Sequence, residues 1–228
     1  MHGAIGMAKC LRLYFVRHGE SEGNMMKVHQ RPDVKLTALG QKQARTVALR
    51  LKGIPVDAIV CSTLTRAKQT AIAISSTNKK KVVYTHLLDE LKRPTEILGK
   101  GGEDKETVRY FAMMHMHMGE RGWHYSDEEN WYDLEARAGN ALDRILAMRK
   151  EKILVIAHGG MIKAIVLELM LRNGGRLPEW ERKGVVPYLL HDIDGFLKLE
   201  NTGITVCESK DGKFWRLITW NDFAHLEN

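Results

Sequence analysis

Two histidines in this sequence come directly after short apolar segments. Residues 11–16 read LRLYFV and lead into Arg17-His18, while residues 153–157 read ILVIA and lead into His158. Short segments rich in β-branched and aromatic residues and followed by turn-forming glycines predict buried strands. A neutral imidazole is a nucleophile, and a guanidinium binds phosphate through paired hydrogen bonds. These residue types therefore indicate phosphoryl chemistry at the ends of two strands.

A further arginine is expected to reach the same place. Arg66 follows the predicted strand 58–61 and opens the next predicted helix. The carboxyl ends of strands in an open α/β sheet lie along one edge, where ligands bind. Arg17, His18, Arg66 and His158 would converge there, although each alone is more simply a solvated arginine or a hydrogen-bonded histidine. Such a cluster of positive charge is costly unless an anion fills it, so the sequence predicts a phosphate site.

The elements that position these residues alternate between strands and helices over most of the chain. Strands are predicted at residues 11–16, 58–61, 82–85, 153–157, 196–199, 204–209 and 214–220, with a hairpin turn at Asp211-Gly212. Helices are predicted at residues 37–53, 66–76, 103–118, 131–151 and 161–171, and a polar loop at residues 173–188. This order predicts an α/β fold with a doubly wound sheet.

The whole chain, residues 1–228, is expected to form one domain, because no linker or internal repeat divides it. Residues 99–134 interrupt the alternation and are interpreted as an inserted helical cap over the site. Within them residues 113–118 read MMHMHM, which we interpret as an adaptable cover rather than a metal site, since residues two apart lie on different helix faces. A leaving group under this cap would meet apolar and aromatic surface. Residues 1–8 are interpreted as a tag or a disordered N-terminus.

The composition limits the classes of partner. The formal net charge is +7, with basic residues spread along the chain, which favours small anions over a nucleic-acid surface. No apolar run reaches the length of a membrane span and no secretory signal is recognised, so no membrane partner is expected. Three scattered cysteines predict a reducing, cytoplasmic location. The last strands would allow a homodimer, but the sequence leaves the oligomeric state open.

With these motifs in place, the sequence resembles the histidine phosphatase superfamily, which includes cofactor-dependent phosphoglycerate mutases and acid phosphatases. The resemblance covers most of the chain and implies a three-layer α/β/α fold with a mainly parallel central sheet. The residues that carry it are Arg17-His18-Gly19-Glu20-Ser21 with Asn24, Leu36-Thr37 with Gly40, Gln43 and Ala44, Ser62 with Arg66, Ala67 and Thr70, Glu90 in LLDEL, His158-Gly159, and the NTGI segment at 201–204.

The resemblance also implies roles for individual residues. His18 would attack phosphorus and become phosphohistidine, and nearby cations would keep its imidazole neutral. Glu90 would be the general acid, and later the base that activates water. The phosphoryl group of the substrate would be bound by Arg17, Asn24, Arg66, Glu90, His158 and Gly159. No metal ion and no cofactor are expected, because fixed cations stabilise the charge that develops on the phosphoryl oxygens.

One departure from the family pattern separates the alternatives. In the mutases the acid is followed by an Arg-His-Tyr-Gly run, whereas here Glu90 is followed by LKRPTEILGK. A mutase must exclude water and bind a substrate carboxylate, whereas a phosphatase needs neither. Because the run is missing, we expect a phosphomonoester hydrolase that acts on a small phosphorylated metabolite and releases inorganic phosphate. Lys92, Arg93 and Lys100 are the candidates that could still bind a carboxylate. A phosphoglycerate mutase is the second hypothesis, and a non-catalytic module that binds phosphorylated ligands is the third.

Overall fold

A six-stranded sheet carries the fold. The computed structural model describes residues 10–173, 189 and 197–227. Along the sheet the strands lie in the order β3-β2-β4-β1-β5-β6; β1 to β4 run parallel, and β5 and β6 run antiparallel to their neighbours. The strands are β1 Leu11–Arg17, β2 Ala58–Cys61, β3 Val82–Tyr84, β4 Lys152–Ala157, β5 Ile204–Ser209 and β6 Trp215–Asp222.

Helices cover both faces of this sheet. They are α1 Glu22–Met25, α2 Ala38–Leu51, α3 Thr65–Asn78, α4 Lys105–Met116, α5 Trp131–Leu146 and α6 Gly159–Leu171. Successive residues of a strand point to opposite faces, and β1 shows the result. Leu13 and Phe15 pack in the core formed with α5 and α6, whereas Tyr14 and Val16 pack in the core formed with α2 and α3. The predicted three-layer α/β/α fold with a mainly parallel sheet is therefore confirmed.

Two predicted boundaries were wrong, and each has a local cause. The helix predicted at 131–151 ends at Leu146, because the chain turns and Arg149 adopts a left-handed backbone with φ 52°. Residues 197–199 do not form the predicted strand; the carbonyl of Leu199 instead accepts a hydrogen bond from the guanidinium of Arg17. The interpretation of residues 1–8 and the polar loop predicted at 174–188 lie outside the described residues.

The segment interpreted as a cap lies in the long connection between β3 and β4. It contains α4 and the first turn of α5, and Tyr110, Met114 and Trp131 are buried in the same core as the sheet. Met118 is buried there too, while Met116 is exposed. The methionine-rich stretch at 113–118 therefore packs against the body of the protein on one side and faces solvent on the other.

Candidate active site

The strand register brings three strand ends together. His18 follows β1, and its backbone N–H donates to the carbonyl of Ala157 at 3.0 Å. Ser62 follows β2, and its backbone N–H donates to the carbonyl of Ile156 at 3.0 Å. Because both acceptors belong to β4, the residues after β1 and β2 lie beside His158, the residue after β4. The centre of the His158 ring is 5.0 Å from that of His18.

The imidazole of His18 is buried and has a defined tautomer. Nδ1 lies 2.7 Å from the carbonyl oxygen of Gly19, so Nδ1 carries the proton and Nε2 is bare. The Nε–H of Arg66 donates to this bare Nε2 at 3.3 Å. Burial lowers the pKa of His18 well below its usual value, and the charges of Arg66 and Arg17 lower it further. His18 is therefore a neutral imidazole with its lone pair directed toward a guanidinium.

Two arginines supply the positive charge around this ring. Arg66 lies in the first turn of α3 and is buried, and burial is the main cause that lowers its pKa to about 10. The negative charge of Glu90 opposes that shift, whereas Arg17 adds to it. Arg66 is still charged at neutral pH and also donates to the carbonyl of Arg31 at 3.3 Å. The guanidinium of Arg17 is fixed by the carbonyl of Leu199.

His158 is fully buried beside His18 and is also neutral. Its Nε2 lies 2.8 Å from the hydroxyl of Ser62. Burial lowers the pKa of His158 well below its usual value, and Arg66, His18, Arg17 and Arg137 lower it further, in that order. Two neutral imidazoles and two guanidiniums thus form one buried cluster, as the positions of the motifs predict.

The carboxylate of Glu90 lies at the N-terminus of α6. It accepts hydrogen bonds from the backbone N–H groups of Leu91, Gly160 and Met161 at 3.0, 3.2 and 3.2 Å. The loop that carries Glu90 is held by Arg137 of α5, which donates to the carbonyls of residues 87, 89 and 90. Helix dipole and backbone donors together fix the acid at the edge of the cluster.

Asn24 is tied to the backbone of His18 through Asn201. Its side-chain oxygen accepts hydrogen bonds from the hydroxyl of Ser21 at 2.9 Å and from Asn201 at 3.2 Å. The amide of Asn201 also donates to the carbonyl of His18 at 2.9 Å. The side-chain oxygen of Asn24 therefore supports the backbone of His18, and the contact between Asn24 and phosphate stays a prediction.

A cavity of about 1020 Å³ opens over the cluster, and basic side chains outnumber the acidic ones on its wall, where Asp89, Glu129 and Glu200 also lie. Arg17, His18, Arg66, Glu90 and Gly159 lie on its wall. The additional cations that line it are Lys92, Arg93, Arg137, Lys163 and Lys198. Of the described residues 99–134, only two, at positions 129 and 131, reach the wall. The methionine-rich stretch is not on this wall, and the apolar and aromatic surface that lies beside the cations comes from residues such as Leu91, Leu98 and Trp131.

Three residues of the site had no signal in the sequence strong enough to assign them a role. Asp89, which the sequence offers only as a neighbour of Glu90, accepts a hydrogen bond from Ser62 at 2.7 Å. Arg137 lies on a helix without a motif, and its role comes from contacts about 50 residues away in the chain. Asn201 belongs to the NTGI segment, which marks a resemblance but does not predict its contact with His18.

The described residues contain neither a cluster arranged to bind a metal ion nor a helix suited to a membrane. No group of three or more histidine, cysteine, aspartate or glutamate side chains in this part of the chain is arranged to hold a metal ion. No helix in the same part of the chain is long and apolar enough to cross a membrane.

Comparisons with known proteins agree with this geometry. The chain is 29% identical over 218 residues to the Uncharacterized phosphatase PhoE of Bacillus subtilis, covering 92% of this chain and 94% of that protein. It is 28% identical to the Probable phosphoglycerate mutase GpmB of Yersinia enterocolitica, covering 95% of both chains. Among solved structures, the phosphoserine phosphatase of Entamoeba histolytica in complex with 3-phosphoglyceric acid superposes with a TM-score of 0.72 at 26% identity, covering 95% of this chain and 99% of that one.

The family model of the histidine phosphatase superfamily, branch 1, matches residues 13–183. This match spans β1 to α6 and includes the cluster of His18, Arg66 and His158 as well as Glu90. The protein belongs to the histidine phosphatase superfamily.

Proposed function

We propose that this protein hydrolyses phosphomonoesters of small metabolites through a phosphohistidine on Nε2 of His18. The observation that carries the proposal is the bare Nε2 of a buried neutral imidazole, with the Arg66 Nε–H 3.3 Å away. Two guanidiniums beside this nitrogen match the charge that spreads over the three equatorial oxygens of a transferred phosphoryl group. The site needs no metal ion for that stabilisation, since the cations are part of the protein.

The reaction has two steps. In the first, the lone pair of His18 Nε2 attacks phosphorus, the bond from phosphorus to the ester oxygen breaks, and Arg17 and Arg66 bind the equatorial oxygens. Glu90 donates its proton to the departing alkoxide, so the product leaves as an alcohol. In the second step Glu90, now ionised, removes a proton from water as the water attacks phosphorus. Inorganic phosphate leaves, His18 is neutral again, and Glu90 is reprotonated.

The backbone holds the carboxylate of Glu90 in one orientation, because the N–H groups of Leu91, Gly160 and Met161 donate to it. The proposed mechanism requires Glu90 to carry a proton when the leaving group departs and to be ionised when water attacks the phosphohistidine.

The outer cavity indicates the kind of leaving group. Of the three cations expected to be able to bind a carboxylate, Lys92 forms an ion pair with Asp127 at 3.1 Å and Lys100 with Asp104 at 3.5 Å. Arg93 lines the cavity and has no acidic partner among the residues that the structure describes. We propose that the preferred substrate carries a second acidic group, which Arg93 binds.

Arg93 is held in place for that contact by aromatic residues. Its guanidinium lies 5.3 Å from the centre of the Phe111 ring and donates to the hydroxyl of Tyr110 at 3.5 Å. His29 packs against the same Phe111 ring at 5.6 Å and also lines the cavity. Burial and the charge of Arg93 lower the pKa of His29, so this ring adds no second charge. The related phosphoserine phosphatase structure holds 3-phosphoglyceric acid, a ligand with one phosphate and one carboxylate.

A phosphoglycerate mutase is the second candidate, since several relatives bear that name. A mutase must keep water from the phosphohistidine, whereas here the cavity is large and lined by charged groups. A module that binds phosphorylated ligands without turnover ranks third, because the nucleophile, the acid and both arginines are all in place. With 3-phosphoglycerate as substrate, phosphate release faster than formation of 2-phosphoglycerate supports the hydrolase. The opposite order supports the mutase.

The location and the assembly of the protein are also proposals. Cys61 and Cys207 are buried and unpaired, and Cys10 is exposed and unpaired, which supports a reducing cytoplasm. No feature of the described surface suggests nucleic acid as a partner. The edge strand β6 exposes Leu217 and Ile218, which supports a homodimer through this strand. Light scattering of the purified protein tests that assembly.

The experiment that tests the proposed function is a phosphoester screen in the presence of EDTA. The unsubstituted protein is compared with His18→Ala and with His124→Ala, a histidine that lies outside the cavity and pairs with Asp133 at 2.7 Å. We expect the unsubstituted protein and His124→Ala to release phosphate at equal rates and His18→Ala to be inactive. Turnover that requires a divalent metal, or that persists in His18→Ala, would reject the proposal.

A further inference from the structure

The hydroxyl of Ser62 determines which nitrogen of His158 carries the proton. A serine hydroxyl has one hydrogen, and here it is donated to Oδ1 of Asp89 at 2.7 Å. The lone pairs of the same oxygen then act as acceptors, for the backbone N–H of Leu64 at 3.1 Å and for Nε2 of His158 at 2.8 Å. Nε2 of His158 is therefore protonated and Nδ1 is bare. This is the opposite tautomer to that of His18, in which Nδ1 is protonated and Nε2 is bare.

Asp89 is fixed in the orientation that this arrangement needs. Oδ1 accepts the backbone N–H of Thr63 at 2.8 Å, and Oδ2 accepts its hydroxyl at 2.8 Å. The ring of His86 also contacts Oδ2 at 3.1 Å. A carboxylate is only an acceptor, so the Ser62 hydroxyl cannot turn around and donate to His158 while Asp89 is ionised. Asp89 thus acts on His158 through one intervening hydroxyl.

The bare Nδ1 of His158 is buried and has no hydrogen-bond partner among the residues that the structure describes. Arg66 from α3, His18, Arg17 from β1 and Arg137 from α5 all disfavour a second proton on His158 while the site is empty. The acidic groups nearby are Asp89, which lies one hydroxyl away through Ser62, and Glu90, which accepts the backbone N–H of Gly160. A phosphoryl group bound at His18, whose ring centre is 5.0 Å away, adds negative charge beside this ring and so favours a proton on His158.

We propose that Asp89, acting through Ser62, is a positioning residue that keeps Nδ1 of His158 bare, so that phosphate binding takes up one proton at this nitrogen. The inference rests on the proposed phosphate site. When a phosphate monoanion binds, its O–H bond breaks and an Nδ1–H bond forms, which leaves a dianion hydrogen-bonded to an imidazolium. When a dianion binds, the proton comes from solvent. The hydrogen bonds from Nε2 to Ser62 and from Ser62 to Asp89 are kept in both cases.

Calorimetric titration of the full-length protein with inorganic phosphate at pH 8, in two buffers of different ionisation enthalpy, counts the protons taken up. Glu90 is the other group that would gain a proton, so the measurement uses the Glu90→Gln variant as its reference. We expect uptake of about one proton, and an affinity that falls about tenfold per pH unit above pH 8. This readout needs no turnover, so it is independent of catalysis.

Three further substitutions, each added to the Glu90→Gln variant, separate the proton relay from general packing. Ser62→Ala frees Nε2, so His158 can hold its single proton on Nδ1 and donate it; phosphate should still bind, with proton uptake near zero. Ser62→Thr keeps the hydroxyl and should restore the uptake. Ser76→Ala is the control, because it removes an exposed hydroxyl of α3 that donates to the carbonyl of Ile72 and takes no part in the path through Ser62. Proton uptake in Ser76→Ala should match the reference.

Phosphate binding without proton uptake in the reference, or equal uptake in Ser62→Ala, would overturn the relay while leaving the proposed function intact. Failure of phosphate to bind at all would overturn both. Nitrogen-15 NMR of the imidazoles in the unsubstituted protein gives a test that does not depend on any variant folding. We expect a bare Nδ1 on His158 in the free protein and protons on both nitrogens with phosphate bound. An Nδ1–H tautomer in the free protein would overturn the inference.

Discussion

Gly160→Ala should displace the proposed general acid without unfolding the protein. A methyl group on Gly160 would lie 2.6 Å from Oε1 of Glu90, far inside van der Waals contact. The atom in the way is the end of a flexible side chain, so it can move. Gly160 lies in the first turn of α6, where alanine favours the helix over glycine by about 1 kcal/mol. We therefore expect the free energy of unfolding to be unchanged or higher.

The size of the effect follows from the displacement. Ordinary contact begins at 3.4 Å, so the carboxylate must retreat by about 0.8 Å. Its hydrogen bonds from Gly160 and Met161 are 3.2 Å long, and such a movement takes both beyond hydrogen-bonding distance. A misplacement of about 1 Å costs roughly 100-fold in rate, or about 2.7 kcal/mol.

The assay compares two leaving groups. The value of kcat/KM reports the steps up to release of the alcohol, and an alkyl alkoxide needs a proton whereas p-nitrophenolate does not. We expect kcat/KM for an alkyl phosphate to fall about 100-fold and that for p-nitrophenyl phosphate to fall less than about tenfold. Gly159→Ala is the matched control, because its methyl group would lie 3.9 Å from Nε of Arg17 and far from Glu90. This control should keep the ratio of the two kcat/KM values at that of the unsubstituted protein.

Two outcomes would refute this reasoning about Glu90. One is a folded Gly160→Ala protein with the original kcat/KM for the alkyl phosphate. The other is an equal loss for both leaving groups, which would mean that the displaced carboxylate does not protonate the leaving group.

Two more predictions concern charge. Arg93→Gln should weaken binding of substrates that carry a second acid by about 10- to 100-fold in KM, the loss of one charge-assisted hydrogen bond, while Lys100→Gln should not. An equal rise in KM for p-nitrophenyl phosphate would contradict this. His18 and His158 have pKa values well below that of the unfolded chain, so their contribution to stability is complete above about pH 6.5 and is lost as pH falls below it. In urea unfolding between pH 5 and 7, His158→Gln should lower the slope of stability against pH by up to about 1.4 kcal/mol per unit; an unchanged slope would show that the ring is not buried as a neutral group.

The sequence predicts the strand ends well because hydrophobic patterning and turn residues are local signals. The apolar segments before His18 and His158 can form only buried strands, and parallel pairing then brings their ends together. The start of α2 is a local feature of the same kind, because the side chain of Thr37 accepts the backbone N–H of Gly40, three residues further on. The central position of β4 follows from a strand with no polar face.

Side-chain contacts between distant segments are what the sequence could not predict. Ser62 and Asp89 are 27 residues apart, and Asn201 reaches the carbonyl of His18 across 183 residues. Neither contact leaves a periodic pattern, and each depends on loops whose paths are set by the tertiary fold. The hydrogen bond from Asn201 to the side-chain oxygen of Asn24 is a further contact of this kind, which spans 177 residues of the chain. Residues 197–199 were mistaken for a strand because apolar and polar residues alternate there. That pattern cannot show that the carbonyl of Leu199 accepts a hydrogen bond from Arg17.

The most direct test of the central claim is to trap the phosphorylated enzyme. The protein is mixed with excess p-nitrophenyl phosphate, quenched in base within the first turnover, and its phosphorylated residue is located by mass spectrometry. A phosphoryl group on His18 that is stable in base and labile in acid, and that is absent in His18→Asn, is the predicted result. Turnover without any phosphoenzyme, or a phosphoryl group on another residue, would contradict the account.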